Sequence, residues 1–177
     1  MSLLLRHAPE TVGLTLDDAG WVAIEDLVSK ARAGGVTLTR DLVLTIVEKD
    51  EKRRYALSED GLKIRATYGH SLEVDLGLRP QGPPERLFHG TATHVLSSIR
   101  QDGITRKRRR YVHLSADRLT AVKVGSRHGR PVVITVEAGH MCRAGFEFYH
   151  SESGIWLTES VPPAYLDFDS LYFPPNP

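Results

Sequence analysis

The sequence predicts an α+β protein of two lobes, and three features of the chain lead to this fold class. Apolar residues at helical spacing, followed by two short strands, occupy the first part of the chain. A segment rich in glycine and proline, Gly77–Glu85, then interrupts every periodic pattern. Beyond it, short apolar strands alternate with brief helical segments. A chain of 177 residues has room for one domain or two small ones.

The first lobe, residues 1–76, is predicted to contain two helices and a hairpin. Thr39 is placed to cap the second helix, while Gly34 and Gly35 end the first. The predicted elements are the helices Glu25–Arg32 and Thr39–Glu48, the strands Arg54–Leu57 and Lys63–Ala66, and the turn Ser58–Gly61. This order of elements, helices followed by a hairpin, is typical of a winged helix. The alternative interpretation is a small α+β domain of another kind.

Residues 77–85 are predicted to form a linker, and residues 86–177 a second lobe. Strands and helices alternate in this lobe without any internal repeat, which favours a split antiparallel sheet. The predicted strands are Leu87–Phe88, Tyr111–Leu114, Pro131–Val136, Phe146–Tyr149 and Ile155–Leu157, and the predicted helices are Thr93–Ile99 and Asp117–Val124.

Composition and motifs exclude several classes of protein. The single cysteine, Cys142, excludes an internal disulfide and a cysteine-rich zinc site, and it fits a reducing cytoplasm. The start of the chain has neither the apolar core of a signal peptide nor the length of a membrane span. Because the Rossmann, P-loop and zincin signatures are missing from the sequence, we expect none of these sites and no metal centre.

Charge is unevenly divided, and several arginines and histidines suit a phosphate ligand. The net charge of +1 separates into −3 over residues 1–75 and +4 over residues 76–177. Arginine offers phosphate a planar fork of donors, and histidine can also move a proton near neutral pH. The candidate phosphate-binding residues are the pair Arg6 and His7, Arg54, and Arg109 within the basic run Arg106–Arg110. The alternative is that each arginine forms an ordinary surface salt bridge.

Two short segments share a pattern that fits a ribose or a diphosphate. FHGT (residues 88–91) and YVHLS (residues 111–115) each place an imidazole and a hydroxyl where a strand leads into a helix. Gly90 would permit close approach of the backbone to a ligand. The alternative is that these histidines are hydrogen-bonded within the core and bind no ligand.

With these motifs the chain resembles the RNA 2′-phosphotransferases of the KptA type, which remove an internal 2′-phosphate from RNA using NAD. The matching segments occur in family order: LRH (5–7), DDAGW (17–21), EKRRY (51–55), IRATYGHS (64–71), FHGT (88–91), RRYVHLS (109–115), VGSRHGRPV (124–132) and WLT (156–158). The resemblance implies an N-terminal winged-helix lobe that binds RNA and a C-terminal lobe of the ADP-ribosyltransferase type that binds NAD.

The resemblance also implies the site residues. The implied catalytic residues are Arg6, His7, Arg54 and Arg109, and the implied NAD-binding residues are His89, Gly90, Thr91, His113, Ser115, Gly125 and Arg127. Two departures from the family pattern stand out. Family members generally carry a longer segment before LRH, whereas five residues precede Arg6 here. Tyr68 occupies the position of the usual glutamine.

The reaction implied by the resemblance has two steps. The RNA 2′-phosphate displaces nicotinamide from NAD, giving an ADP-ribosylated RNA phosphate. A ribose hydroxyl then attacks phosphorus, releasing RNA with a free 2′-OH and ADP-ribose 1″,2″-cyclic phosphate. NAD is consumed as a co-substrate, no metal is needed, and the expected partner is RNA with an internal 2′-phosphate, as in tRNA splicing and processing. We expect a cytoplasmic monomer with no membrane partner.

Two alternatives to this reaction stay open. One is a winged-helix binding module whose second lobe senses a nucleotide without turning it over. The other is an ADP-ribosyltransferase that caps a terminal phosphate of RNA or DNA. The physiological RNA also stays open at this point.

Overall fold

The computed structural model describes residues 1–175 and divides into two compact units, Met1–Gly77 and the residues from Leu78 on. Each unit combines helices with antiparallel sheet, which confirms the predicted α+β class. Across residues 1–175, none of the helices has the length and apolar character needed to cross a bilayer.

The first unit contains three α-helices, a short 3₁₀ helix (Pro9–Val12) and one three-stranded sheet. Its helices are α1 (Ser2–Arg6), α2 (Ile24–Ala33) and α3 (Arg40–Glu48), and its strands are β1 (Val22–Ala23), β2 (Tyr55–Leu57) and β3 (Lys63–Ala66). The strands are antiparallel in the order β1-β3-β2. The two predicted helices and the hairpin are confirmed to within one residue at most ends.

Local chemistry accounts for α2 and α3. In α2 the buried residues Ile24, Leu27 and Ala31 recur every three to four positions and form one apolar face. In α3 the side chain of Thr39 accepts a hydrogen bond of 3.2 Å from the backbone N–H of Leu42, as its predicted role as N-cap requires.

The core of the first unit fixes the position of α1. Leu5 is fully buried, together with residues from α2, α3 and β3: Ile24, Leu27, Val43 and Ile64. Because α1 is anchored through Leu5, the next residue, Arg6, is held against the same unit at the end of the helix.

Among its described residues, the second unit contains three α-helices, two short 3₁₀ helices (Thr93–Val95 and Pro163–Tyr165) and eight strands. Its helices are α4 (Leu96–Asp102), α5 (Arg118–Gly125) and α6 (Ala138–Arg143), and its strands are β4 (Leu87–Ala92), β5 (Ile104–Thr105), β6 (Val112–Leu114), β7 (Pro131–Val136), β8 (Tyr149–His150), β9 (Trp156–Thr158), β10 (Ser160–Val161) and β11 (Leu166–Tyr172). They form the antiparallel sheets β11-β7-β4, β6-β9-β8 and β10-β5.

Several elements differ from their predicted bounds. Strand β4 continues to Ala92 because each of its residues pairs with β7. The predicted strand Phe146–Tyr149 is a strand only at Tyr149, since Phe148 is buried in the core from an irregular segment. Within the predicted linker, the N–H of Gln81 donates to the carbonyl of Phe148 at 2.8 Å.

Helix α5 packs on β4 through two glycines. A Cβ built on Gly90 would lie 1.7 Å from the carbonyl oxygen of Ala121, and one on Gly125 would lie 2.7 Å from the carbonyl oxygen of Thr91. Both contacts involve backbone atoms, which cannot move aside as a flexible side chain could. The close approach of this helix to this strand therefore requires glycine at both positions.

We expect Gly90→Ala to lower the free energy of unfolding by about 3 kcal/mol, because the added methyl group overpacks a backbone contact. Urea denaturation of the purified variant measures this loss. Gly82→Ala is the control, since a Cβ at Gly82 meets no atom within 4 Å. Equal stability of the two variants would contradict the packing described.

Candidate active site

Arg6 is a buried cation held by aromatic rings rather than by a carboxylate. Its residue exposure is 8%, and its guanidinium carbon lies 4.7 Å from the ring centroid of Tyr68 and 5.8 Å from that of Tyr55. Its Nη2 donates to the backbone carbonyl of Arg54 at 3.3 Å. Within residues 1–175, Arg6 forms no ion pair, and its buried Nε has no hydrogen-bond partner.

The environment of Arg6 makes its charge available to an anion. Burial lowers the pKa of Arg6, the phenol groups of Tyr68 and Tyr55 oppose that effect, in part through a hydrogen bond with Tyr68, and the nearby charge of Arg54 adds to it. Arginine nevertheless stays protonated at any working pH. A buried and uncompensated guanidinium is a strong attractor for a negatively charged ligand such as a phosphate.

Arg54 differs from Arg6 because a carboxylate holds it. Oδ1 of Asp50 lies 2.8 Å from Nε and 2.7 Å from Nη2 of Arg54, and Oδ2 accepts the backbone N–H of Arg54 at 2.5 Å. The hydrogen bond that Arg54 donates to Asp50 raises the pKa of Arg54. Burial alone would raise the pKa of Asp50, but its hydrogen bonds with Arg54 outweigh burial and leave that pKa below its ordinary value.

The backbone before Arg54 adopts a conformation that is unfavourable for its residue type. Arg53 has a φ of +44°, which lies in the left-handed region and is uncommon for a residue other than glycine. The turn is closed by the N–H of Arg53, which donates to the carbonyl of Asp50 at 2.8 Å, and by the hydroxyl of Thr67, which donates to the carbonyl of Arg53 at 2.7 Å. This turn directs the chain so that Arg54 meets Asp50.

His7 is positioned by a serine that is distant in sequence. Its Nδ1 lies 3.0 Å from Oγ of Ser71. The backbone N–H of Ser71 in turn donates to the carbonyl of Arg6 at 3.0 Å. The first unit therefore brings together Arg6, His7 and Arg54, three of the four predicted catalytic residues.

In the second unit the two similar sequence segments lie side by side. Phe88 and Ser115 exchange backbone hydrogen bonds of 2.9 and 2.8 Å, which joins the end of β6 to β4. Nδ1 of His89 lies 3.3 Å from the carbonyl oxygen of His113. Burial lowers the pKa of His89, and the charge of Arg109 lowers it further. His89 is therefore neutral near pH 7 and can act as a hydrogen-bonding group.

Arg109, the fourth predicted catalytic residue, contacts the same pair of strands. Its Nη1 lies 3.2 Å from Nδ1 of His113. Because an arginine nitrogen can only donate, His113 accepts this hydrogen bond at Nδ1. The loop before Arg109 also contains a left-handed residue, Lys107, with a φ of +52°.

The other predicted NAD-binding residues are placed unequally. Gly90 and Thr91 lie on β4, and Gly125 ends α5, which packs on that strand. The side of Gly90 that a Cβ would occupy is filled by α5, so packing supplies a reason for this glycine that the sequence interpretation did not consider. Arg127 follows α5 and is exposed, and in the described structure its side chain makes no hydrogen bond to the other predicted residues.

Sequence reasoning missed Asp50, Tyr55 and Ser71 as parts of this arrangement. Tyr55 and Ser71 lie within motifs that the sequence displays, yet the contacts that they make with Arg6 and His7 depend on the fold. Asp50 stands four residues before Arg54, which was the only signal for their pairing. In the part of the chain that the structure describes, no group of three histidine, cysteine, aspartate or glutamate residues could hold a metal ion.

Comparison with known proteins assigns the chain to a family. The family model described as "RNA 2′-phosphotransferase, Tpt1 / KptA family" matches residues 1–160. A protein of Agrobacterium fabrum named probable RNA 2′-phosphotransferase is 51% identical over 166 residues, which cover 94% of this chain and 89% of that protein. A protein of the same name from Flavobacterium johnsoniae is 47% identical over 170 residues, covering 96% of this chain and 93% of that protein.

We expect Arg53→Gly to raise the free energy of unfolding by about 1 kcal/mol, because glycine adopts a positive φ without the steric conflict of a side chain. The side chain of Arg53 is exposed, so little packing is lost. Lys52→Gly, at an exposed neighbour without positive φ, should instead be destabilising. Urea denaturation of both variants gives the comparison, and equal losses of stability would argue against the left-handed turn.

Proposed function

Because the chain belongs to the RNA 2′-phosphotransferase family of the Tpt1/KptA type, we propose that it removes an internal 2′-phosphate from RNA in an NAD-dependent reaction. The products are RNA with a free 2′-OH, nicotinamide and ADP-ribose 1″,2″-cyclic phosphate. The first unit serves as a winged-helix lobe that binds RNA, and the second as an ADP-ribosyltransferase-like lobe that binds NAD.

The observation that carries this proposal is the pair of arginines in the first unit. Arg6 is buried without a carboxylate partner among residues 1–175, and it donates to the backbone of Arg54, whose own side chain is 42% exposed. The charge of Arg54 lowers the pKa of Arg6, so the two guanidinium groups repel each other unless anions compensate them. Asp50 compensates one of them, so the arrangement suits one further anionic group. A 2′-phosphate has the charge and the acceptor oxygens for that position.

The second unit offers the donors and acceptors that a dinucleotide needs. His89, which is neutral near pH 7, lies beside the backbone of His113, and Ser115 lies on the strand end bonded to β4. Hydroxyl and imidazole groups of this kind recognise ribose hydroxyls and diphosphate oxygens. We assign His89, Thr91, His113 and Ser115 to NAD on this basis, while Gly125 holds α5 against β4.

In the first step an oxygen of the 2′-phosphate attacks the anomeric carbon of the ribose that carries nicotinamide. The bond to nicotinamide breaks, and nicotinamide leaves with the bonding electrons. The nucleophile is already anionic, so the task of the protein is to orient it against a carbon that becomes positive in the transition state. Arg54 and Arg109 are assigned to the phosphate oxygens, with Asp50 and His113 as their respective partners.

In the second step the 2″-hydroxyl of the ADP-ribose attacks the phosphorus atom, and the 2′-oxygen of RNA leaves. One proton departs from the attacking hydroxyl, and one arrives at the leaving oxygen. His7 is the residue assigned to this transfer, because it is exposed and its Nδ1 is oriented by Ser71. Arg6 and Arg54 stabilise the charge on the phosphorus oxygens during the exchange.

The proposal is tested by incubating the protein with NAD and a short RNA that bears one internal 2′-phosphate, in the absence of added metal. The RNA species are resolved on a gel, and the small products are identified by mass. We expect the 2′-phosphate to disappear while nicotinamide and ADP-ribose cyclic phosphate accumulate in equal amounts.

Other outcomes of this assay have definite meanings. An accumulating ADP-ribosylated RNA would show that the first step proceeds and that the second step does not follow on this substrate. Complete retention of both NAD and the 2′-phosphate would overturn the proposal. RNA of the same sequence with only 2′-hydroxyl groups is the control, and it should leave NAD intact.

We expect Arg54→Lys to lower kcat/KM by roughly 100- to 1,000-fold, the range found when one donor to a developing oxyanion is removed. Lysine keeps the positive charge but loses the planar fork that can face Asp50 and a phosphate simultaneously. Steady-state kinetics with the 2′-phosphorylated RNA measure the loss.

Arg32→Lys is the matched control for this substitution, because Arg32 is an exposed arginine at the end of α2. It should change kcat/KM by less than about twofold, as exposed substitutions usually do. Nearly full turnover by Arg54→Lys would show that the fork of Arg54 is not needed.

A further inference from the structure

We propose that Asp50 is a positioning residue for the proposed reaction, holding the guanidinium of Arg54 so that its outer edge faces the RNA phosphate. This inference rests on the proposed function, because it assigns to Asp50 the orientation of a group that the proposed function places on the phosphate. Three features of the pair support this role: the burial of Asp50, the atoms of Arg54 that it contacts, and the atoms of Arg54 that it leaves accessible.

Asp50 is buried although it carries a charge. The side chain is 2% exposed, whereas that of Arg54 is 42% exposed. A buried carboxylate is unfavourable unless hydrogen bonds and a cation compensate it. Arg54 supplies this compensation, so the pair is strongly tied at the buried end and open to solvent at the other.

The contacts with Asp50 occupy one edge of the Arg54 guanidinium and leave the other edge accessible. Oδ1 of Asp50 lies within 2.8 Å of both Nε and Nη2 of Arg54, so it occupies the inner edge of the planar group. Nη1 of Arg54 makes no hydrogen bond to any residue in the range 1–175. Nη2 carries two N–H groups and so belongs to both edges of the guanidinium. The outer edge, formed by Nη1 and Nη2, is open on the side away from Asp50, and it has the geometry that receives two phosphate oxygens.

The second oxygen of Asp50 fixes the base of the same side chain. Oδ2 accepts the backbone N–H of Arg54 at 2.5 Å, and the positive φ of Arg53 brings that N–H to the carboxylate. One carboxylate therefore holds Arg54 at both its backbone and its guanidinium. A long and flexible side chain fixed at both ends loses most of its rotational freedom before a ligand arrives, which lowers the entropic cost of binding.

A different role for Asp50 is simply to close the turn that follows α3. Asp60 closes a different turn of the same unit, where its Oδ1 accepts hydrogen bonds from the N–H of Leu62 at 2.9 Å and from the hydroxyl of Ser58 at 2.6 Å. Asp60 contacts no arginine among the residues described. Asp60→Asn is therefore the matched control, because it removes the same charge from another turn.

The test is a double-mutant cycle between Asp50→Asn and Arg54→Ala, with kcat and KM measured on the 2′-phosphorylated RNA. Asparagine keeps an oxygen that can accept the backbone N–H of Arg54 but loses the charge facing the guanidinium. We expect Asp50→Asn alone to lower kcat/KM by about 100-fold, as for a catalytic group moved out of place. In the Arg54→Ala background the same change should cost less than about twofold, because the group that it positions is gone.

A purely structural role gives a different result. The loss caused by Asp50→Asn would then be the same in both backgrounds, since independent effects add. That outcome would overturn the proposal. Asp60→Asn should retain kcat/KM within about twofold in either background, and urea denaturation establishes that each variant is folded at the assay temperature.

A second measurement keeps this inference separable from the proposed function. The Nε–H resonance of Arg54 in a ¹⁵N–¹H spectrum should exchange slowly with solvent in the parent protein and in Asp60→Asn, and rapidly in Asp50→Asn. If this pattern appears while no turnover is found, Asp50 holds Arg54 and the proposed reaction is what fails. Unchanged Nε–H exchange in Asp50→Asn would overturn the positioning role whatever the activity.

Discussion

The first unit is arranged around a buried arginine, Arg6, for which none of the described residues supplies a carboxylate. Removing a guanidinium from water is unfavourable unless other groups replace its hydration. For Arg6 these groups are the rings of Tyr68 and Tyr55 and the carbonyl of Arg54. Tyr55 begins β2 and Tyr68 follows β3, so one side chain ties the helix at the start of the chain to both strands of the hairpin.

The two arginines of this unit are compensated to different degrees, and the difference defines what each can do. Arg54 is neutralised by Asp50 and offers geometry, namely a fixed fork with one edge turned outward. Arg6 has no anionic partner in the described part of the chain and offers charge. If both were uncompensated, their repulsion would oppose folding, and if both were paired, little attraction for an anion would remain. One paired and one unpaired arginine satisfy both requirements.

Elements that depend on local sequence were predictable, and elements that depend on tertiary contact were not. Helices α2 and α3 have apolar faces and a capping residue, and the β2–β3 hairpin has a turn between alternating strands. Helix α6 has only six residues, and the alternation of apolar and polar residues in β11 stops after Asp169, within the stretch where its register with β7 shifts, so neither has a long periodic pattern in the sequence. Their positions are set by pairing and packing with distant segments.

The same distinction applies to the candidate site, and it changes how substitutions there should be interpreted. Residue type and motif were enough to select Arg6, His7, Arg54 and Arg109. The contact between His7 and Ser71 joins residues 64 positions apart, so only the fold could show it. The sequence favours Gly90 as a site residue because glycine permits close approach of the backbone to a ligand, yet the structure shows α5 in the space where a side chain would be. Since packing alone requires this glycine, a loss of activity at position 90 reports first on the α5–β4 contact. Arg6 has both roles, because its contacts tie α1 to the hairpin while no carboxylate of the described residues neutralises its charge. A loss of activity at Arg6 therefore reports on the anion only in a variant whose free energy of unfolding is unchanged.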